Sequence, residues 1–151
     1  MKKIFLIFFF SLIFCNYCLA DNTRVIDGDT IEINKEKIRF ANIDTPEIKQ
    51  ICFLDSIEIF CGNLAKIVLE IKIGEGVPKC KKQGLDYYKR TLAECFVNGE
   101  SLSKFLVRSG YAFAFRKYSD QFIEDENFAK VNKLGLWAMK FEYPWDFRKK
   151  N

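Results

Sequence analysis

Short β-rich segments separated by strong turn signals constrain the fold of this 151-residue chain more than any other feature. Residues 24–26 and 30–33 flank Asp27-Gly28, a dipeptide typical of tight β-hairpins. Three further strand candidates follow at residues 38–43, 77–82 and 91–97, and the last two are predicted to pair. Such spacing predicts a small sheet built from five strands.

Three helices are predicted among these strands. Leu64, Ile67, Val68 and Ile71 recur at i, i+3, i+4 and i+7, which is the spacing of one helix face. Ser101 is a suitable N-cap for a helix over residues 102–109, and an amphipathic helix is predicted over residues 122–133. Residues 48–60 show no clear period and are predicted to be a loop.

The predicted order β-β-β-α-β-β-α-α indicates an α+β fold, a five-stranded OB-fold β-barrel with three helices. By itself this fold implies only a tendency to bind nucleic acids or sugars.

Residues 1–20 are predicted to be a secretory signal peptide. Met1-Lys2-Lys3 is a positive start, residues 4–15 are almost wholly apolar, and Ala20 is a small residue at the cleavage position. The apolar run is short for a transmembrane helix, although an uncleaved anchor is an alternative. Cleavage would leave residues 21–151 as one secreted or periplasmic domain with no stable membrane association. It would remove two of the 24 basic residues and none of the 20 acidic ones, leaving a net charge of about +2, too small to indicate a nucleic-acid partner.

Four cysteines lie beyond the predicted signal peptide, at positions 52, 61, 80 and 95. An even number in an oxidising compartment favours two disulfides, and the pairs Cys52–Cys61 and Cys80–Cys95 are favoured because each closes a short loop. A four-cysteine zinc site is the alternative, although its ligand pairs usually lie about two to four residues apart. The chain has no histidine, which excludes Ser–His triads and histidine-ligated metal sites.

Several acidic residues and arginines that suit phosphodiester cleavage lie in or next to the predicted strands and turns. Asp29 and Asp44 can bind a hard cation through oxygen ligands. Glu47 can orient or deprotonate a water molecule. Arg39 and Arg90 carry planar forks that suit a phosphate and its charge in the transition state. Each residue alone has an ordinary explanation as a turn residue or a solvated side chain, so the hypothesis depends on their combination.

With these residues in this order, the chain resembles the staphylococcal nuclease (thermonuclease) family. The resemblance rests on residues 25–30, 38–40, 43–47 and 86–90, and it continues weakly through residues 106–112 and 135–137. It implies an OB-fold barrel and the calcium-dependent hydrolysis of DNA and RNA to products with 3′-phosphate ends. By position it implies three calcium ligands (Asp29, Asp44 and the backbone carbonyl of Thr45) and three catalytic residues (Glu47 as general base, with Arg39 and Arg90 on the phosphate).

Other positions match the family less closely. Tyr88 and Tyr118 match positions near the bound nucleotide, and packing in the core is the alternative for both. Arg116 stands where the family has a second aromatic residue, which puts base stacking in doubt. The loop after Glu47 keeps only one lysine of a lysine-rich segment, so a stiffer loop and a weaker hold on long DNA are expected. The C-terminal residues 148–150 are predicted to be a solvated end, with contact to a phosphate as the alternative.

The resulting prediction is a secreted, monomeric, calcium-dependent nuclease that acts on DNA and RNA. Two alternatives remain: a catalytically silent OB-fold module that binds nucleic acids, and a structural protein of the cell envelope that uses the barrel as a disulfide-bonded scaffold.

Overall fold

The computed structural model describes residues 22–150, so the predicted signal peptide lies outside the described residues. The strands are β1 (Thr23–Asp27), β2 (Thr30–Ile33), β3 (Glu36–Phe40), β4 (Ile43–Asp44), β5 (Ile51–Leu54), β6 (Ile57–Phe60), β7 (Lys79–Leu85), β8 (Thr91–Val97), β9 (Glu100–Ser101) and β10 (Phe113–Ala114). The helices are α1 (Cys61–Ile73), α2 (Leu102–Arg108), α3 (Ile123–Val131) and α4 (Pro144–Lys150), with a 3-10 helix at Gly135–Ala138.

The main sheet has the strand order β1-β2-β3-β8-β7, and the short strand β9 pairs with β8. These five principal strands are the predicted five-stranded sheet of an OB-fold. Their pairings are antiparallel except for β3 and β8, which run parallel with Ile38 beside Thr91. The parallel pairing places Arg90, one residue before β8, next to the strand that carries Arg39.

Alternating side chains of the sheet form the main core with α1 and α2. Every second residue of β8 from Thr91 to Val97 is buried, and Leu69 of α1 and Leu106 of α2 are fully buried on the same core. The predicted helix signals are confirmed here, because Ser101 Oγ accepts the Lys104 N–H at 3.3 Å at the start of α2.

A second, aromatic cluster forms around Phe113 of β10. The Phe113 ring lies 5.2 Å from the ring of Tyr143 and 6.0 Å from that of Trp145. These contacts hold a fourth helix, α4, which the sequence pattern did not predict. Its signals are Pro144 at the first position and Asp146 in the first turn, followed by basic residues in the last turn.

One loop prediction and one strand prediction require correction. Residues 48–60 are not a loop throughout, because β5 and β6 form a hairpin whose turn is Asp55-Ser56. The predicted strand over residues 38–43 is interrupted at Asn42, which has a left-handed φ of 64°. This break separates β4 from β3 and allows β4 to pair with β10 instead.

The four cysteines pair as predicted. The Cys52–Cys61 bridge joins β5 to the first residue of α1, and the Cys80–Cys95 bridge joins β7 to β8. Over the described residues, no helix combines the length and apolar character needed to cross a membrane.

Candidate active site

One cleft of about 610 Å³ gathers every residue for which the sequence predicted a role. The predicted residues that line it are Asp29, Arg39, Asp44, Thr45, Glu47, Tyr88, Arg90 and Tyr118. They come from the β1–β2 turn, from β3 and β4, and from loops before β8 and after β10. The fold therefore brings together side chains that are far apart in the sequence.

Asp29 is positioned by the tight turn between β1 and β2. Its backbone N–H donates to Asp27 Oδ1 at 3.1 Å, and its side chain is almost fully buried. A Cβ on Gly28 would lie 2.9 Å from Thr45 Oγ1. A glycine at this position therefore lets the turn approach the segment that carries Asp44 and Thr45.

The segment from Asp44 to Glu47 is fixed by contacts with its neighbours. A Cβ on Gly62, in the first turn of α1, would lie 1.9 Å from the Glu47 carbonyl oxygen, so α1 begins directly against this backbone. The buried Gln50 accepts the Glu47 N–H at 3.2 Å and donates from Nε2 to the Glu142 carbonyl at 2.6 Å. Gln50 thus connects the Glu47 backbone to the chain that leads into α4.

Arg39 bridges the two buried carboxylates. Its Nη1 donates to Asp29 Oδ1, and its Nη2 donates to Asp44 Oδ1 at 3.1 Å. Burial disfavours the charged form of Arg39, but attraction to these two carboxylates outweighs it and raises its pKa. The two terminal nitrogens of one planar guanidinium each bind one of these oxygens. Oδ1 of Asp29 and Oδ1 of Asp44 therefore lie close to each other.

The charge of Asp29 is only partly compensated by its surroundings. Burial raises the pKa of Asp29 to about 7, although the attraction of Arg39 opposes this shift, and repulsion by Asp27 and Asp44 adds to it. Both hydrogen bonds that its carboxylate accepts from described residues end on Oδ1. Additional positive charge beside Asp29 would therefore be stabilising.

Arg90 is held at the edge of the cleft by a tight loop before β8. Asp86 accepts from the Arg90 N–H at 2.7 Å and from Arg90 Nε at 2.6 Å. Burial alone would raise the pKa of Asp86, but these donors outweigh it and hold the pKa below its usual value. Since Nε faces Asp86, the terminal nitrogens of the guanidinium are the donors that remain for a ligand.

The two predicted nucleotide-binding tyrosines are exposed in the cleft, which excludes the alternative of core packing. Tyr88 is 76% exposed and its ring lies 5.7 Å from the Arg90 guanidinium carbon, whereas Tyr118 is 70% exposed and contacts Phe115. Arg116 does not line this cleft. It forms an ion pair with the buried Glu126 of α3 at 2.5 Å.

Arg148 also lines the cleft, and the prediction of a solvated end was wrong for this residue. Its Nη2 donates to Asp44 Oδ2 at 2.6 Å, and its Nη1 donates to Glu47 Oε1 at 2.7 Å. Burial disfavours its charge, but the hydrogen bonds to Asp44 and Glu47 prevail and raise its pKa. Proline at the start of α4 was a usable helix signal, but no local pattern indicates that this helix packs against β4.

The donor set fits a hard divalent cation that also keeps ligands from water and substrate. Asp29 and Asp44 are both nearly inaccessible to solvent and converge through Arg39. The described residues contain no cluster of three or more His, Cys, Asp or Glu side chains suited to a metal. Calcium takes about six to eight oxygen ligands. The carboxylates of Asp29 and Asp44 and the Thr45 carbonyl would therefore leave several coordination positions for water and phosphate oxygens.

Residues 37–139 match the family described as staphylococcal nuclease homologue. The chain belongs to the staphylococcal nuclease family. Arg39, Asp44, Thr45, Glu47 and Arg90 lie within the matched segment, whereas Asp29 and Arg148 lie on either side of it.

Three curated relatives are similar to the chain, and two of them are named endonucleases. The chain is 31% identical to the succinoglycan biosynthesis protein ExoI of Rhizobium meliloti over 83% of its own length and 68% of that protein. It is 33% identical to the SPbeta prophage-derived endonuclease YokF and to the endonuclease YncB, both of Bacillus subtilis, over 76% of its own length. It spans only 42% and 59% of these two endonucleases.

Proposed function

We propose that this member of the staphylococcal nuclease family is a nuclease that hydrolyses phosphodiester bonds with the help of calcium. The observation that carries the proposal is the convergence of Asp29, Asp44, Arg39, Glu47 and Arg90 on one cleft. Members of this set could act on a single phosphate only if they share one site, and the common cleft supports this. The names of the two endonuclease relatives support the same reaction class.

Each side chain has a defined task in this proposal. Asp29, Asp44 and the Thr45 carbonyl hold the cation, which when bound neutralises charge on phosphate oxygens. Glu47 is 44% exposed, so its carboxylate can meet a water molecule and accept a proton from it.

The two arginines bind the phosphate itself. Arg90 is held by Asp86 on one side, so its terminal nitrogens are oriented before substrate arrives. Arg39 lies beside the carboxylates and stabilises the extra negative charge of the pentacoordinate transition state. The 5′-oxygen leaves, so the expected products carry 3′-phosphate ends, from both DNA and RNA.

Tyr88 and Tyr118 are proposed to contact the nucleotide. Both rings are mostly exposed and line the same cleft as Arg90. An exposed aromatic ring can stack on a base of any identity, so Tyr118 keeps one such contact although Arg116 replaces the second aromatic residue of the family.

Secretion is proposed from the N-terminal segment and from the two disulfides. Disulfides persist in oxidising compartments and are rare in the cytosol. The protein would act there as a monomer without stable attachment to the membrane.

Cleavage of plasmid DNA by the purified protein tests the proposal against the silent binding module. We expect nicking and linearisation with calcium and none with an excess of chelator. Arg39→Gln, purified in parallel, controls for contaminating nucleases. Binding of DNA without cleavage in calcium would support the silent module, and a folded protein that does not bind nucleic acid even at low salt would support the structural scaffold.

A further inference from the structure

Arg148 donates hydrogen bonds to both carboxylate oxygens of Asp44, one of which Arg39 also contacts. Its Nη2 lies 2.6 Å from Asp44 Oδ2 and its Nη1 lies 3.3 Å from Asp44 Oδ1, so one guanidinium spans both oxygens of the carboxylate. The same Nη1 lies 2.7 Å from Glu47 Oε1. Asp44 thus receives two arginines at once.

Three guanidinium hydrogen bonds end on Asp44, two on Oδ1 and one on Oδ2, so a bound cation would compete with them for the same two oxygens. A guanidinium and a divalent cation also repel each other when they approach the same carboxylate. Cation binding on Asp44 is therefore expected to weaken the contact of at least one of the two arginines with this carboxylate.

The structure identifies Arg148 as the arginine that is easier to move. Arg39 lies in the central strand β3, its side chain is 20% exposed, and it also bonds Asp29. The Arg148 side chain is 43% exposed and lies in the last turn of the terminal helix α4, where backbone hydrogen bonds fray most easily. Trp145, stacked on Tyr143 at 4.6 Å, holds the other end of the helix in place.

We propose that Arg148 is a third arginine of the active site, and that it competes with the divalent cation for Asp44. The inference rests on the proposed cation site. Occupation of Asp44 by Arg148 lowers the affinity for the cation, and cation binding in turn releases Arg148 and loosens the last turn of α4. Because the coupling is reciprocal, one factor describes both effects, and such factors are about 5- to 150-fold in proteins.

Calcium affinity measured by calorimetry tests this competition, with Lys149→Gln as the matched control. Lys149 is in the same helix, is exposed and pairs only with Asp146 among the described residues, so its substitution removes the same charge without touching Asp44. At about 0.15 M salt we expect Arg148→Gln to bind calcium at least about fivefold more tightly than the unsubstituted protein. Lys149→Gln should stay within about twofold, because the Lys149 side chain is 73% exposed and its charge is screened by solvent and salt.

Two further measurements keep the test independent of folding and of activity. Arg148→Lys keeps the charge but loses the fork, so its calcium affinity should lie between those of the unsubstituted protein and Arg148→Gln. Hydrogen exchange of residues 144–150 should become faster when calcium is added to the unsubstituted protein. Thermal denaturation would show that each variant is folded.

The outcomes separate this inference from the proposed function. Calcium binding that is equal in Arg148→Gln and Lys149→Gln would overturn the competition while leaving the cation site intact. Calcium binding by none of the folded proteins would overturn the cation site itself, and the competition with it.

Discussion

At the scale of single residues, the cleft is a balance of carboxylates and arginines in which each charge depends on its neighbours. Asp29 and Asp44 are buried and share Arg39, whereas Glu47 is partly exposed and pairs with Arg148. This difference in burial assigns different roles to the acids. The buried pair suits ligands for a cation, and the exposed acid can reach a water molecule.

Replacement of Glu47 tests the separation of these roles. Glu47→Gln should lower kcat by about 10²–10⁴-fold, because it removes a general base. It should change the calcium affinity by no more than a few-fold, because no cation ligand is lost. Single-turnover cleavage and calorimetry on the same preparation measure the two quantities. An equal loss of turnover and of calcium affinity would identify Glu47 as a ligand instead.

Asp29 makes the stability of the protein depend on pH. Its folded-state pKa of about 7 lies above the ordinary value of 3.8. The folded state therefore binds this proton more tightly than the unfolded state does. The resulting contribution to the free energy of unfolding is fully present below about pH 4 and is lost as the pH rises to about 7. Each pKa unit corresponds to about 1.4 kcal/mol, so the loss is on the order of 1–4 kcal/mol.

Urea denaturation in chelator at pH 5 and pH 7.5 measures this effect in the unsubstituted protein and in Asp29→Asn. Asp29→Asn lacks the titrating group, so its stability relative to the unsubstituted protein should rise between the two pH values. Other groups titrate in both proteins, so their contributions cancel in the difference between the two free energies of unfolding. A difference in stability that is independent of pH would contradict the raised pKa.

At the scale of secondary-structure elements, the start of α1 fixes the backbone of Glu47. Gly62→Ala would place a Cβ 1.9 Å from the Glu47 carbonyl oxygen, so the helix or the Glu47 segment must shift. We expect a loss of about 1–3 kcal/mol in stability, as for overpacked cores, together with a fall in cleavage rate. Gly84→Ala is the control, since its Cβ would meet nothing within 4 Å. Equal effects of the two substitutions would mean that the close approach is unimportant.

The Cys52–Cys61 disulfide joins the β5–β6 hairpin to the start of α1. Both cysteines are fully buried, and the hairpin also pairs through Phe53 with Lys140, near the start of α4. Cys52→Ala combined with Cys61→Ala should cost about 2–4 kcal/mol in urea denaturation. Cys80→Ala combined with Cys95→Ala should cost a similar amount, because the two loops have similar lengths of 9 and 15 residues. A stability unchanged by loss of the first bridge would exclude it as a support of the hairpin.

The elements that the sequence predicted are those with strong local signals. Asp27-Gly28 indicated the first hairpin and Ser101 the start of α2, and both are present. The β5–β6 hairpin was missed because its turn, Asp55-Ser56, lacks the glycine or asparagine that marks such turns most clearly. α4 was missed because seven residues give too short a window for helical periodicity.

At the scale of the whole molecule, the candidate site is a product of long-range packing. The parallel pairing of β3 with β8 brings the strand that carries Arg39 beside the start of β8, which Arg90 precedes. The pairing of β4 with β10 places Asp44 opposite Phe113. Sequence motifs in a fixed order were enough to predict these residues, because the family resemblance supplied their arrangement. Arg148 could not be found in this way, since its contacts with Asp44 and Glu47 span more than 100 positions.

The central claim is that a cation and the arginines act on one phosphate in this cleft. Its most direct test is the single-turnover rate of cleavage of a labelled single-stranded oligonucleotide, with calcium or with chelator. Arg90→Gln should slow cleavage in calcium by about 10²–10³-fold, as for the loss of a transition-state donor. Arg24→Gln removes the same charge from an exposed pair outside the cleft and should stay within about threefold of the unsubstituted rate. Chelator should abolish cleavage in all three proteins, and cleavage that persists in chelator, or that is equally fast in Arg90→Gln and Arg24→Gln, would contradict the account.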